Sequence, residues 1–191
     1  GSGNIIKQIF QEVYLGKELF ETTYGLVPQF YFDEGFNQRE QLLIGKPVLE
    51  ELAAKHIVAI ATGRPRAEAN YPLDHFGIRK YFAHVMALED CLEEETRRQK
   101  AGAKKTSLSK PDPFMLDAIA ESHKDSFAES YYVGDMPDDM IAAKNSAAGY
   151  KAVGMTMSAP DQESLKKELM RAGADFIIDN FEQLKELVKS S

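Results

Sequence analysis

Residues 131–149 read YYVGDMPDDMIAAKNSAAG, and this stretch decides the fold. An apolar run ends in Gly134-Asp135. A helix signal follows at once, with Pro137 fit for a first helical position and Gly149 as the stop. Three carboxylates, Asp135, Asp138 and Asp139, crowd one turn. Acids this close repel one another, so a cation or a helix dipole should compensate them.

Working outward, the same strand-then-helix unit recurs. HIVAIAT (56–62), FAHVMALED (82–90), YKAVGMTM (150–157) and DFIIDN (175–180) read as further strands. Helices are expected over 47–55, after Pro65, over 111–124 with Asp112 as N-cap, over 160–173 and over 181–190. The polar stretch 93–107 reads as a loop or a solvated helix. Residues 4–20 carry apolar side chains at helical spacing, and the aromatic stretch PQFYFDEGF (28–36) turns at Asp33-Glu34-Gly35. Gly1-Ser2-Gly3 reads as a cloning scar or a flexible loop end and is set aside. Alternating strands and helices imply an α/β fold, a Rossmann-like parallel sheet with helices on both faces. The strands are nearly unbroken apolar runs, as doubly covered strands should be.

The chain has 191 residues, of which 43% are hydrophobic and 28% charged, a globular composition with room for one core and a small second lobe. A net charge of −7 argues against nucleic acid or an anionic membrane as a general partner. The single cysteine, Cys91, excludes an internal disulfide and a cysteine zinc site, and reads as a half-buried apolar residue. No run reaches membrane-span length, and the cytoplasm is the default compartment.

In parallel sheets, ligands bind beyond the carboxyl ends of the strands. One strand ends in Thr62-Gly63-Arg64, where a hydroxyl and exposed amides make an anion site or an ordinary turn. Lys110 lies in SLSKPDP, fixed between short polar residues and prolines, and offers a point charge to a phosphate. Asp135 follows a buried strand and suits Mg²⁺, which takes one or two carboxylates plus waters and phosphate oxygens. Asp138 reads as a helix-dipole residue, and Asp139 reads equally as that or as part of the metal site. Arg64 and Arg66 are further candidates that a solvated helix face explains as well. The four histidines show no paired spacing and are read as neither bases nor ligands.

Hydroxyl, lysine and acid, in that order at one sheet mouth, make a phosphate-and-magnesium constellation. In this order IVAIATGRP resembles motif II of the haloacid dehalogenase superfamily, SLSKPDPFML its motif III, and VGDMPDDMIAAKNSAAG its motif IV. GADFIIDNFEQLKELV resembles the usual end of these proteins. The likeness covers residues 47–188. The helical start resembles subfamily IA, the phosphoglycolate-phosphatase-like enzymes with a helical cap between motifs I and II.

The resemblance implies a Mg²⁺-dependent phosphomonoester hydrolase acting through an aspartyl-phosphate on a small phosphorylated metabolite. Thr62 and Gly63 would bind the phosphoryl group, Lys110 would offset its charge, Asp135 would ligate Mg²⁺ and Asp139 would support that site. Motif I, the strand whose first aspartate is the nucleophile, has no match; Phe32-Asp33-Glu34-Gly35 lacks the second aspartate. Residues 1–45 are therefore expected to be part of the cap, and 46–191 a core without its first strand. An N-terminal segment carrying motif I becomes an expected partner. The alternative is a non-catalytic phosphate-binding or interaction module that has lost the nucleophile. A phosphoacceptor receiver domain uses similar groups in the opposite order, and 2-haloacid dehalogenases share the core without Mg²⁺.

Overall fold

The computed structural model describes residues 5–125 and 129–189; the set-aside Gly1-Ser2-Gly3, the expected first residue of the opening helix (Asn4) and the last of the closing one (Ser190) lie outside them. Helix α1 spans Ile5–Tyr24, α2 Lys46–Lys55, β1 Ala59–Ala61, α3 Arg66–His75, β2 His84–Met86 and α4 Leu88–Lys100. Then come α5 Phe114–Ser122, β3 Tyr131–Gly134, α6 Pro137–Asn145, β4 Lys151–Met155, α7 Gln162–Arg171, β5 Phe176–Ile178 and α8 Phe181–Lys189.

All strand pairs are parallel, as expected. The strands form two sheets, β1 with β2, and β3-β4-β5 with β4 in the middle. Helices cover both faces. Along β4, Ala152 packs with Leu116, Met140 and Leu169 of α5, α6 and α7, while Val153 and Met155 pack with Leu52 of α2 and Leu184 of α8. The same alternation holds in β1: Ile60 meets the α2 and α3 side through Leu49 and Leu73, and Ala61 meets the α5 and α6 side.

Between β1 and β3 lies a seam. Thr62 N–H donates to Met86 and the Val58 carbonyl accepts from Ala83, so the backbone of residues 58, 60 and 62 faces β2. By strand alternation, the backbone groups of Ala59 and Ala61 face the other way, toward β3. On β3, Ser130 pairs with Lys151 of β4, so Val133 turns its backbone toward β1. No backbone ladder joins the two edges among the described residues.

Several boundaries differ from expectation. The strand expected over 82–90 ends at Met86, because Asp90 accepts from Ala87 N–H and starts α4 there. The charged stretch expected as loop or solvated helix is the body of α4, which ends at Lys100. Helix α5 starts at Phe114, with Asp112 accepting from its N–H and Pro113 in the cap position. Helix α6 stops at Asn145, ahead of Gly149. Cys91 is fully buried, not half-buried, against Leu108 and Met115. Its thiol is pushed up to about 11 by burial, and then by Glu95 and Asp90.

Helix α1 continues to Tyr24 through a kink at Gly16, whose φ of 72° and ψ of 170° interrupt the helix. A side chain at Gly16 would meet the Gly35 nitrogen at 2.2 Å, so the residue must be glycine for the 33–35 turn to lie against it. The apolar residues of the first two turns are not core: Ile6 is 78% and Phe10 63% exposed. Glu12, fully buried, fixes α1 to the loop after it by accepting from the N–H groups of Gln29, Phe30 and Tyr31.

Burial alone would raise the pKa of Glu12, but these amides and that of Gln8 bring it below its ordinary value of 4.5. A carboxylate held ionised by folding stabilises the protein above its unfolded pKa and loses that contribution as pH falls through the folded value. Urea midpoints from pH 7 to pH 3 should therefore fall more steeply for the wild type than for Glu12→Gln. The divergence should begin below about pH 4.5.

Candidate active site

The site sits at the carboxyl ends of β1 and β3. Thr62 leaves β1 with its hydroxyl accepting from Arg64 N–H at 3.2 Å. That tight turn keeps the hydroxyl proton available and exposes the Gly63 amide, which donates to no described residue. Gly63 borders open space, so a ligand oxygen can approach the backbone.

Lys110 comes from the loop before α5; its peptide bond to Pro111 is cis. The ammonium donates to Asp139 Oδ1 at 2.5 Å and to the Tyr132 hydroxyl at 3.2 Å, and the side chain is mostly buried. Two of its three protons are used, and the third remains for a ligand. The Tyr132 hydroxyl also lies 3.1 Å from Asp139 Oδ1 and 3.1 Å from the Ala61 carbonyl oxygen, sharing its one proton between two acceptors. Tyr132 thus crosses the seam from β3 to β1. Burial first, and then the charge and hydrogen bond of Asp139, push its phenol far above the ordinary range.

Asp139 is 3% exposed, and its second oxygen accepts from Met136 N–H at 3.0 Å, capping α6. Gly134 makes this possible: a Cβ there would lie 2.4 Å from the Asp139 carboxyl group. Both Asp139 oxygens accept hydrogen bonds, one from Lys110 and one from the α6 cap, the capping role that the sequence offered beside support of a metal. Asp135 and Asp138 are exposed. Among the described residues no cluster of three or more His, Cys, Asp or Glu forms a protein cage for an ion. A hard cation that retains several waters needs no such cage, and Asp135, in no hydrogen bond or ion pair with a described residue, suits it as a single carboxylate ligand.

Thr62, Gly63 and Lys110 line one cavity of about 420 Å³, with Arg64, Pro65 and Glu68 from the start of α3 and Phe10 and Tyr14 from α1. Of the aromatics in the N-terminal segment, Phe10 and Tyr14 reach the pocket, while Phe20 is buried and Phe30 and Phe32 are exposed. Arg64 ties the turn before α3 to α1 and to Glu40. Its NH1 lies 2.9 Å from Glu40 Oε1 and 3.1 Å from the Tyr14 hydroxyl, which itself donates to Glu40 at 2.6 Å. Arg66 instead bonds Asp90 and ties α3 to α4. Tyr132, Glu40 and Glu68 were not singled out in the sequence. A tyrosine in an apolar strand and a glutamate in a first helical turn carry no signal of their own.

A polar cavity at the mouth of a doubly covered parallel sheet defines a Rossmann-like α/β domain. The comparisons give the family. The haloacid dehalogenase-like hydrolase model matches residues 7–155, and the chain belongs to that family. Among curated relatives, the phosphoglycolate phosphatase of Photobacterium profundum is 30% identical over 83% of this chain and 61% of its own length. That of Vibrio parahaemolyticus is 29% identical over 92% and 65%. The chain thus spans less than two thirds of the length of either. A structural genomics X-ray structure superposes with a TM-score of 0.75 at 25% identity, covering 97% of this chain and 52% of the other. A subfamily IA hydrolase from Geobacter sulfurreducens shares the fold at a TM-score of 0.52 and 19% identity, over 74% and 57%. Among the described residues, no helix is long and apolar enough to cross a membrane.

Removing the hydroxyl that joins Lys110, Asp139 and Ala61 leaves buried polar groups short of a partner. Tyr132→Phe should cost about 1–3 kcal/mol in urea unfolding, well above the change for an exposed tyrosine.

Proposed function

We propose that the chain forms the phosphate- and magnesium-binding part of a phosphomonoester hydrolase. It acts on a small phosphorylated metabolite in the cytoplasm through an aspartyl-phosphate, and the nucleophile lies on a strand seated in the β1–β3 seam. The observation that carries this reading is the seam itself. It leaves backbone groups of Ala59, Ala61 and Val133 facing one another without a ladder, and Thr62 and Lys110 meet in one cavity at its carboxyl end. A parallel strand in that place would satisfy those groups and bring its tip to the cavity. The names of the curated relatives support the reaction class.

In this proposal the Thr62 hydroxyl and Gly63 amide hold phosphoryl oxygens, and the remaining Lys110 proton offsets their charge. Asp139 positions Lys110, and Tyr132 positions both. Asp135 would hold Mg²⁺, which when bound supplies positive charge to the phosphoryl group. An aspartate at the tip of the seated strand attacks phosphorus and expels the alcohol, and water then cleaves the acyl phosphate. Most of the rate comes from positioning and charge, so the residues of this chain alone would bind without turning over.

A second reading, a non-catalytic phosphate-binding module, is favoured by one observation: no aspartate among the described residues lines the cavity. Titration of inorganic phosphate by calorimetry, with and without Mg²⁺, tests what both readings share. Lys110→Ala and Thr62→Ala should each weaken binding by about tenfold, and Mg²⁺ should tighten binding to the wild type but not to Asp135→Asn. Unchanged affinity in all three variants would remove the site. Hydrolysis of p-nitrophenyl phosphate should be absent from the chain alone and emerge on co-folding with an apolar strand that bears Asp-x-Asp. Binding without hydrolysis in that complex would favour the module.

A further inference from the structure

Glu68 is a cavity group whose buried oxygen has no partner among the described residues. It lies in the first turn of α3 and is 4% exposed. Its Oε1 is buried and accepts no hydrogen bond. A first-turn acid normally serves the helix terminus, but the α3 amide at Arg66 is already taken by Glu89 at 2.7 Å. Of the cations whose charge reaches it, Arg64 and Lys7, Arg64 bonds Glu40 and Tyr14 through NH1. Burial pushes the Glu68 carboxyl up; Arg64 opposes this, and Glu89 adds to it. A buried carboxyl oxygen without a donor destabilises a fold, so such a group in a cavity marks a place where a ligand supplies the donor.

The walls beside it narrow the donor's chemistry. Phe10 and Tyr14 stack with centroids 6.2 Å apart and planes 1° from parallel, and both line the cavity that Glu68 closes. Aromatic walls accept C–H surface, and a carboxyl oxygen in the same cavity accepts an O–H. A carboxylate-ended substrate would instead set like charge against Glu68, around which Glu89 and Glu40 offset the positive charges of Arg64 and Lys7. We propose that Glu68 is a specificity-determining residue that accepts a hydrogen bond from a hydroxyl on the organic half of the phosphomonoester, so that the cavity selects polyol phosphates over alkyl or carboxylate-bearing ones. This rests on the phosphate-site reading and names its substrate class.

The test is a calorimetric titration of the chain with four probes: glycerol 3-phosphate, propyl phosphate, phosphoglycolate and inorganic phosphate. Propyl phosphate matches the carbon skeleton of the first without its hydroxyls. A site built to pair with a hydroxyl rejects the analogue that lacks it. The wild type should bind glycerol 3-phosphate about tenfold more tightly than propyl phosphate or phosphoglycolate. Glu68→Ala should erase that margin and Glu68→Gln should keep part of it, since the amide oxygen still accepts. Equal binding of glycerol 3-phosphate and propyl phosphate by the wild type, with phosphate binding intact, overturns the role of Glu68 and leaves the phosphate site standing. Inorganic phosphate bound no better by the wild type than by Lys110→Ala would overturn the site reading and this inference together. The comparison among ligands needs no variant, so a variant that fails to fold does not blunt it.

Discussion

A buried carboxylate at the foot of α6 holds the two halves of this molecule in register. Asp139 accepts from the Lys110 ammonium and lies within reach of the Tyr132 hydroxyl, and that hydroxyl touches the Ala61 carbonyl across the seam. A charge in such a place is tolerated only when it is paired and hydrogen-bonded on every side. Each partner is fixed in turn: Lys110 by its loop before α5, Tyr132 by the β3–β4 ladder, and Met136 N–H by the start of α6. Gly134 leaves the space that lets the carboxyl group come so close to β3.

The same network accounts for the shape of the site. With β1 and β3 joined by a side chain and not by a ladder, their carboxyl ends stay apart and the backbone between them stays open. Thr62 and Lys110 meet over that opening, and the α1 lobe closes it from above through the Tyr14, Glu40 and Arg64 cluster. A buried polar constellation of this kind fixes geometry more than it adds net stability. It serves a site in which positioning and charge do most of the chemistry.

Much of this was legible in the sequence, for physical reasons. Strand-helix alternation is written in apolar periodicity, and residues at strand ends meet at one sheet mouth whatever the details of packing. That is why Thr62, Gly63 and Lys110 could be placed together from their positions alone. Asp139 shows the limit. Its spacing fits a metal site and a helix cap equally, and only the approach of Lys110 from 29 residues away shows what the carboxyl group pairs with. Tyr132 and Glu68 were hidden because local pattern gives each an ordinary role. The apolar stripe of α1 predicts a buried helix face, yet Ile6 and Phe10 stand exposed, since periodicity records that a face is apolar and not what covers it. The break between the sheets leaves no residue pattern, because a seam is an absence of pairing.

Amide hydrogen exchange resolved by residue tests the central claim that β1 and β3 face each other unpaired. The account predicts that the N–H groups of Ala61 and Val133 exchange orders of magnitude faster than that of Val153, which lies within the β3-β4-β5 sheet. Protection of Ala61 and Val133 equal to that of Val153 would mean that the seam is closed by a backbone ladder, and the account of the site built upon it would fail.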